Sequence, residues 1–361
     1  MRTGTANLPL HSGKAPAWLF GRMVELAGCM AEMIVSEYGP DTLLQRLADP
    51  RWFQAFGCVL GFDWHSSGLT TTACGALKES VKGKQTELGL FIAGGKGAAS
   101  RKTPDEIRSF CDRFTCSTPA DDLVRASRLS AKVDNTALQD GYQLYHHVFF
   151  FSPSGTWSVV QQGKNDTNHY ARRYHWNSAG LDSFVSDPHA GIASPGKSPN
   201  VLNSVAKEAA PNRDAVHGLV LQGPGTVNRE LKAASELKLP ARHHITANDF
   251  SVRGLEKTLV TAYETQPVGF EDVLLTPGMG PKALRALVLV AELAYGTPAS
   301  WRDPASFAFA HGGKDGIPYP VDRPVYDGTV ALLKQAIGRS RMGQSEKLQA
   351  VRTLARFWPD I

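Results

Sequence analysis

Residues 142–163 read YQLYHHVFFFSPSGTWSVVQQG, and this stretch decides the fold class. Val, Tyr, Phe and Trp crowd both halves, with Ser152-Pro153-Ser154-Gly155 between them. β-branched and aromatic side chains fit a pleated, half-buried surface, and a Pro-Ser-Gly run suits a tight reversal. The stretch therefore predicts an antiparallel β-hairpin. Successive side chains of a strand point to opposite faces, so at most one of His146 and His147 can face a given site.

Working outward, residues 164–176, KNDTNHYARRYHW, interleave Lys164, Arg172 and Arg173 with Tyr170, Tyr174 and Trp176. Cations among flat rings suit stacked bases and phosphates; the plainer reading is an edge strand with a polar face. Residues 180–200 are rich in Pro, Gly and Ser and read as a linker. On the other side, LGLFIAGG (88–95) reads as a strand, and Gly94-Gly95-Lys96-Gly97 with Arg101-Lys102 as a basic loop. That loop lacks the spacing of a nucleotide-binding P-loop. It could lie near phosphates or be a solvated connection. Helices are expected from Thr103 to Phe114 and from Ala120 to Lys132. CVLGFDWHSSGLTTTACGALKE (58–79) reads as strand, turn and Thr-rich strand. Before it, Leu19, Met23, Leu26, Met30, Met33 and Ile34 form one helix face, ended by Gly39-Pro40. Two shorter helices follow, starting at Asp41 and Asp49-Pro50.

Beyond residue 200 the pattern is almost wholly helical, near 201–209, 213–221, 228–237 and 255–265. FEDVLLTPGMGPKALRALVLVAELAY (270–295) then reads as a short helix, a tight turn and a longer helix. Two glycines one residue apart permit unusual backbone angles, and Pro281 suits a first helical position. The hydrophobic-x-x-Pro-Gly-x-Gly-Pro-Lys pattern resembles a helix-hairpin-helix nucleic-acid-binding motif. The resemblance implies that Pro277, Gly278, Met279, Gly280 and Lys282 meet a phosphate backbone without reading sequence. The expected fold is α+β. An N-terminal mixed α/β domain with a largely antiparallel sheet (1–195) precedes a C-terminal all-α domain (196–361) containing the hairpin.

Composition narrows the function. The 361 residues are 42% hydrophobic and 20% charged, which suits a globular chain with a sizeable core. A net charge of +5 agrees with a polyanionic partner. Five cysteines without a C-x-x-C pair argue against a zinc knuckle or a disulfide framework. Neither a signal peptide nor a bilayer span is expected, so a cytoplasmic protein without a membrane partner is.

Three residue groups could carry chemistry. Asp63 at a strand end, with Glu79 nearby, could hold Mg²⁺ or Mn²⁺ against a phosphodiester, or Asp63 could be a turn acid. His65, His146 and His147 are further candidate ligands, and imidazole beside carboxylate favours Mn²⁺ over Mg²⁺. Asp63, Glu79 and Lys282 are the catalytic candidates. Arg172, Arg173, Tyr174 and Lys96 join the hairpin as candidate DNA contacts. Lys282 with Asp322 offers an alternative, because helix-hairpin-helix glycosylases pair such a lysine with a downstream aspartate. The stretch between them is longer than that pattern expects.

The words RTGTANLPLHSGKAP, GFDWHSSGLTTTACGALKE, AGGKG, YQLYHHVFFF, VVQQGKN, ARRYHW and WRDPASFAFAHGGKDGIPYPVDR are similar to a bacterial and archaeal family, domain of unknown function 763. The likeness spans nearly the whole chain. It implies a DNA-processing nuclease acting beside a helicase and assigns no catalytic residues. The expectation is a metal-dependent DNA nuclease of repair. DNA and a helicase are the expected partners, and self-association is left open. A glycosylase or a non-catalytic helicase partner is the alternative.

Overall fold

The structure is a computed structural model that describes residues 8–10, 15–62, 66–236, 254–306 and 331. The described chain is mixed α/β and contains an antiparallel sheet. It opens with α1 (Ala17–Tyr38), α2 (Pro40–Ala48), α3 (Pro50–Val59), α4 (Gly68–Ser80) and α5 (Gln85–Leu88). Strand β1 (Phe91–Lys96) leads through a 3-10 turn to α6 (Thr103–Arg113) and α7 (Ala120–Lys132). Then come β2 (Leu138–Gln139), β3 (Gln143–Phe151), β4 (Trp157–Asn165), β5 (Tyr170–Asn177), β6 (Gly191–Ala193) and β7 (Leu202–Asn203). Helices α8 (Ala210–Leu221), α9 (Pro224–Glu236), α10 (Leu255–Thr265), α11 (Phe270–Leu275) and α12 (Pro281–Tyr295) follow.

The expected hairpin is the centre of the main sheet, whose order is β1-β3-β4-β5-β6 with every pairing antiparallel. Its turn closes through Gly155 N to Ser152 O at 3.1 Å. Gly155 has φ +88°, and a Cβ there would overlap Thr118 Oγ1. Alternation along β3 sorts the core into two layers. Val148 and Phe150 join one cluster with α1 to α4. Phe149 and Phe151 join another with Val124 of α7, Val216 of α8 and Leu287 of α12. This second cluster runs across the boundary expected at 195–196.

Three expectations need correction. Neither strand expected in 58–79 forms: Cys58 and Val59 end helix α3, with Leu60 and Gly61 in a turn, and residues 68–80 are a helix. Leu69, Ala73, Cys74, Ala76 and Leu77 share a buried face against α1 and α3, and tertiary packing overrides the strand preference of Thr70 to Thr72. A Cβ on Gly57 would overlap Leu69, so α3 and α4 approach closely because that position is glycine. The stretch expected as a linker holds β6, which pairs with β5 through Tyr174–Ile192. Residues 201–209, expected as a helix, hold β7 and a single 3-10 turn. Among the described residues, no helix is long and apolar enough to cross a membrane.

Candidate functional site

A short helix, a tight turn and a longer helix occupy 270–295, as the spacing predicts. Met279 N donates to Thr276 O at 3.1 Å, closing a β-turn with Pro277 and Gly278 at its corners. Gly278 has φ +87°, as a turn with glycine at its third position requires. A Cβ there would sit 2.6 Å from Thr258 Oγ1 of α10. The first bond of α12 runs from Leu284 N to Gly280 O at 3.0 Å, so the amides of Lys282 and Ala283 precede its ladder. Met279 is fully buried and anchors the turn in the second core. Its carbonyl accepts from Lys132 Nζ at 2.7 Å, and Pro281 O accepts from Gln139 Nε2 at 2.8 Å. The hairpin is therefore clamped to the end of α7 and to β2.

This clamp closes one side of a cleft of about 650 Å³. The hairpin turn, residues 127–136 at the end of α7, residues 143–147 of β3, and Arg101 with Thr103 form its walls. Its described lining carries Arg101, Arg128 and Lys132 and no carboxylate. Arg101 and Arg128 are exposed, and among the described residues neither is ion-paired. Arg128 and Lys132 are four residues apart and share a helix face. Burial lowers the Lys132 ammonium from its ordinary range.

His147 and Ser127 both line this cleft and are almost wholly buried. Ser127 Oγ lies 2.9 Å from His147 Nε2, and His147 Nδ1 lies 2.7 Å from Gln161 Oε1. Gln161 Nε2 donates to Ser130 O at 3.0 Å and to the Asp134 carboxylate. The amide orientation is thereby settled, leaving Oε1 as an acceptor. His147 therefore carries its proton on Nδ1 and presents a lone pair at Nε2 to the serine hydroxyl. Burial lowers the pKa of His147, opposed by the Gln161 bond and the Asp134 charge. The ring is thus neutral at pH 7. Asp134 also accepts from Trp176 Nε1 at 2.9 Å and pairs with His189.

His146 belongs to the opposite side of the sheet, in register with Lys96 and Gln162. Both its ring nitrogens are buried without a hydrogen-bond partner among the described residues. Burial pushes it down to about 3, with His147 and Lys96 adding to the effect. His146 and His147 therefore cannot serve one metal. Among the described residues no group of three His, Cys, Asp or Glu could hold an ion. Asp63 and His65 lie outside the described residues. The residues that follow them approach the His146 register, since Gln162 Nε2 donates to Ser67 O at 3.0 Å. Glu79 is exposed at the end of α4, 3.8 Å from Lys82, and does not line the cleft. Lys282 is exposed beyond the turn and outside the lining. Lys96 is exposed, 5.8 Å from the centroid of the Tyr145 ring. Asp322 lies outside the described residues.

The cation-and-ring stretch of β5 needs correction as a DNA contact. Arg172, Arg173 and Tyr174 are each 0% exposed. Arg172 donates to Asp140 at 2.8 Å and to both oxygens of Asp303 at 3.1 and 2.8 Å. Tyr174 Oη donates to Asp140 at 2.7 Å. Arg173 donates to Gln54 at 2.9 Å and lies over the Phe53 ring, and burial pushes it down to about 10. The strand is interior to the sheet, so these side chains are enclosed by packed layers and cannot meet a strand of DNA. Met279 likewise offers the cleft its main chain only, since its side chain fills the core. Sequence reading missed Ser127, Arg128, Lys132, Asp134 and Gln161. The i,i+4 cations of α7 were a usable signal; the pairing of Ser127 with His147 was not.

No curated protein and no solved structure matches this chain. One family model does, over residues 4–321 of the 361, and its description is "Protein of unknown function (DUF763)". The words of β3, β4 and β5 that build the main sheet fall inside that span, and the chain belongs to this family.

Proposed function

We propose that the cleft binds DNA by its phosphates and that the protein is a DNA nuclease. The observation that carries this reading is the described lining, with Arg101, Arg128 and Lys132 and no carboxylate, closed by the hairpin turn. A phosphodiester strand is a ligand that neutralises such a wall and needs no base-specific contact. The volume falls in the range of ligand sites and suits one or two nucleotides. Metal dependence rests on Asp63 and His65, with Mn²⁺ or Mg²⁺ as the ion. Asp63 and His65 lie outside the described residues, so no step is derived through a metal. A second reading is a DNA-binding partner of a helicase without turnover of its own, and the same basic lining supports it, because such a wall holds phosphates whether or not they are cut. A glycosylase gains no support from Lys282, which stands outside the lining.

Fluorescence anisotropy with labelled single- and double-stranded oligonucleotides tests binding over a range of salt. Arg101→Ala and Arg128→Ala should each weaken binding and lower the log–log salt slope by about 0.7 to 0.9, one phosphate contact. Affinity and slope unchanged in both variants would remove the cleft from the reading. A cleavage assay with Mg²⁺, Mn²⁺ or EDTA then separates nuclease from binding module. Cleavage unchanged in EDTA and in Asp63→Ala would remove the metal from the reading, and binding without any cleavage would favour the helicase partner.

A further inference from the structure

We propose that Ser127 is a nucleophile activated by His147, and that the floor of the cleft is a phosphoester-transfer site; this rests on the cleft being a phosphodiester site. The chain of contacts has the direction that activation requires. Gln161 Oε1 accepts from His147 Nδ1, so Nε2 is free to take the Ser127 proton across 2.9 Å. Gln161 is itself held by Ser130 O and Asp134. Gln161 and Asp134 are positioning residues: the amide fixes the tautomer, and the carboxylate lies one bond further on to favour a proton on the ring. A buried Ser–His contact inside a core would do nothing. This one forms part of the lining of an open cleft, beside three cations. Those cations select an anionic electrophile over a neutral ester or amide.

The step balances without a co-reactant other than water. Ser127 Oγ bonds to phosphorus as its proton passes to His147 Nε2. The bond from phosphorus to the leaving sugar oxygen, opposite Ser127, breaks, and that oxygen takes a proton from solvent water while His147 keeps the serine proton. A phosphoseryl ester remains. Water then attacks the same phosphorus from the side opposite Ser127 and loses a proton to solvent, and Ser127 Oγ leaves, taking back its proton from His147 Nε2. Arg101, Arg128 and Lys132 surround the cleft where the phosphate oxygens would lie.

The test uses the full-length wild-type chain and an alkyl fluorophosphonate, with the labelled residue located by peptide mass spectrometry. Ser127 should be labelled in the folded protein, not after denaturation, and an oligonucleotide should protect it. His147→Asn should slow labelling by about 10²- to 10⁴-fold, the usual worth of a positioned base, with a native melting profile. Ser127→Cys should react with an oligonucleotide carrying a bridging phosphorothiolate to leave a covalent adduct on a denaturing gel. No label on Ser127 in the folded wild-type protein, under conditions that label an active serine hydrolase, overturns the proposal. Label without oligonucleotide protection, and no adduct, overturns the phosphoester class. Both outcomes differ from failure of the cleft reading, which shows as DNA affinity indifferent to Arg101→Ala and Arg128→Ala.

Discussion

Single side chains here divide by what surrounds them, as one pair of neighbours and one pair of like residues make plain. His146 and His147 are adjacent, yet one has no bonded ring nitrogen among the described residues and the other is bonded at both. Burial lowers both rings, together with His175. The unfolded chain takes up these protons near pH 6.5, and the folded chain resists them. Stability is therefore whole above pH 6.5 and is lost as pH falls towards about 3 for His146. Denaturant midpoints measured from pH 7 to pH 4 should fall steadily, and His146→Phe should flatten part of that fall. A fall equally steep in the variant would contradict the assigned burial. Arg172 and Arg128 are both arginines, but only one can meet a ligand. Arg172→Ala leaves Asp140 and Asp303 buried without their cation and should cost about 3 to 5 kcal/mol in urea unfolding. Arg128→Ala should leave stability within about 0.5 kcal/mol, as exposed substitutions do.

At the scale of elements, the hairpin depends on a backbone angle and an anchor. Gly278→Ala introduces a side chain at φ +87° against Thr258 and should cost about 1 to 3 kcal/mol. DNA affinity should fall with it, because the turn has to move relative to Lys132. Affinity equal to wild type in a folded Gly278→Ala protein would argue that the turn does not touch the strand. Met279→Ala empties a fully buried site and should lower thermal stability by about 2 to 5 kcal/mol. Helix α4 shows the opposite relation between residue and element. Its three threonines favour a strand in isolation, and the fit of Leu69 against Gly57 makes it a helix.

For the molecule as a whole, the sheet lies between two hydrophobic layers, and the second contains residues from both halves of the chain. A fragment ending at residue 195 would lose the α8 and α12 residues of the buried cluster that also holds Phe149, Trp157 and Trp176. Such a fragment should lack a cooperative melt and should bind a hydrophobic dye. A sharp thermal transition in the fragment would mean that the N-terminal half folds alone.

The antiparallel hairpin, the long first helix and the two helices either side of the 276–280 turn were legible in the sequence. Each rests on local rules: period-two or helical spacing, a Pro-Ser-Gly turn, glycines where φ is positive. Family membership was legible too, from words such as YQLYHHVFFF and ARRYHW that lie within the matched span. Of the residues lining the candidate cleft, only those carried by one local element were legible, the hairpin turn and the basic stretch that includes Arg101. The fate of Arg172 and Arg173 was not, since an arginine on an interior strand and one on an edge strand look alike until the neighbouring strands are known. Nor was the meeting of Ser127, His147 and Gln161, which lie on a helix and two strands. Their contact exists because the sheet's second face packs on α7. That is a long-range event which no spacing along the chain encodes.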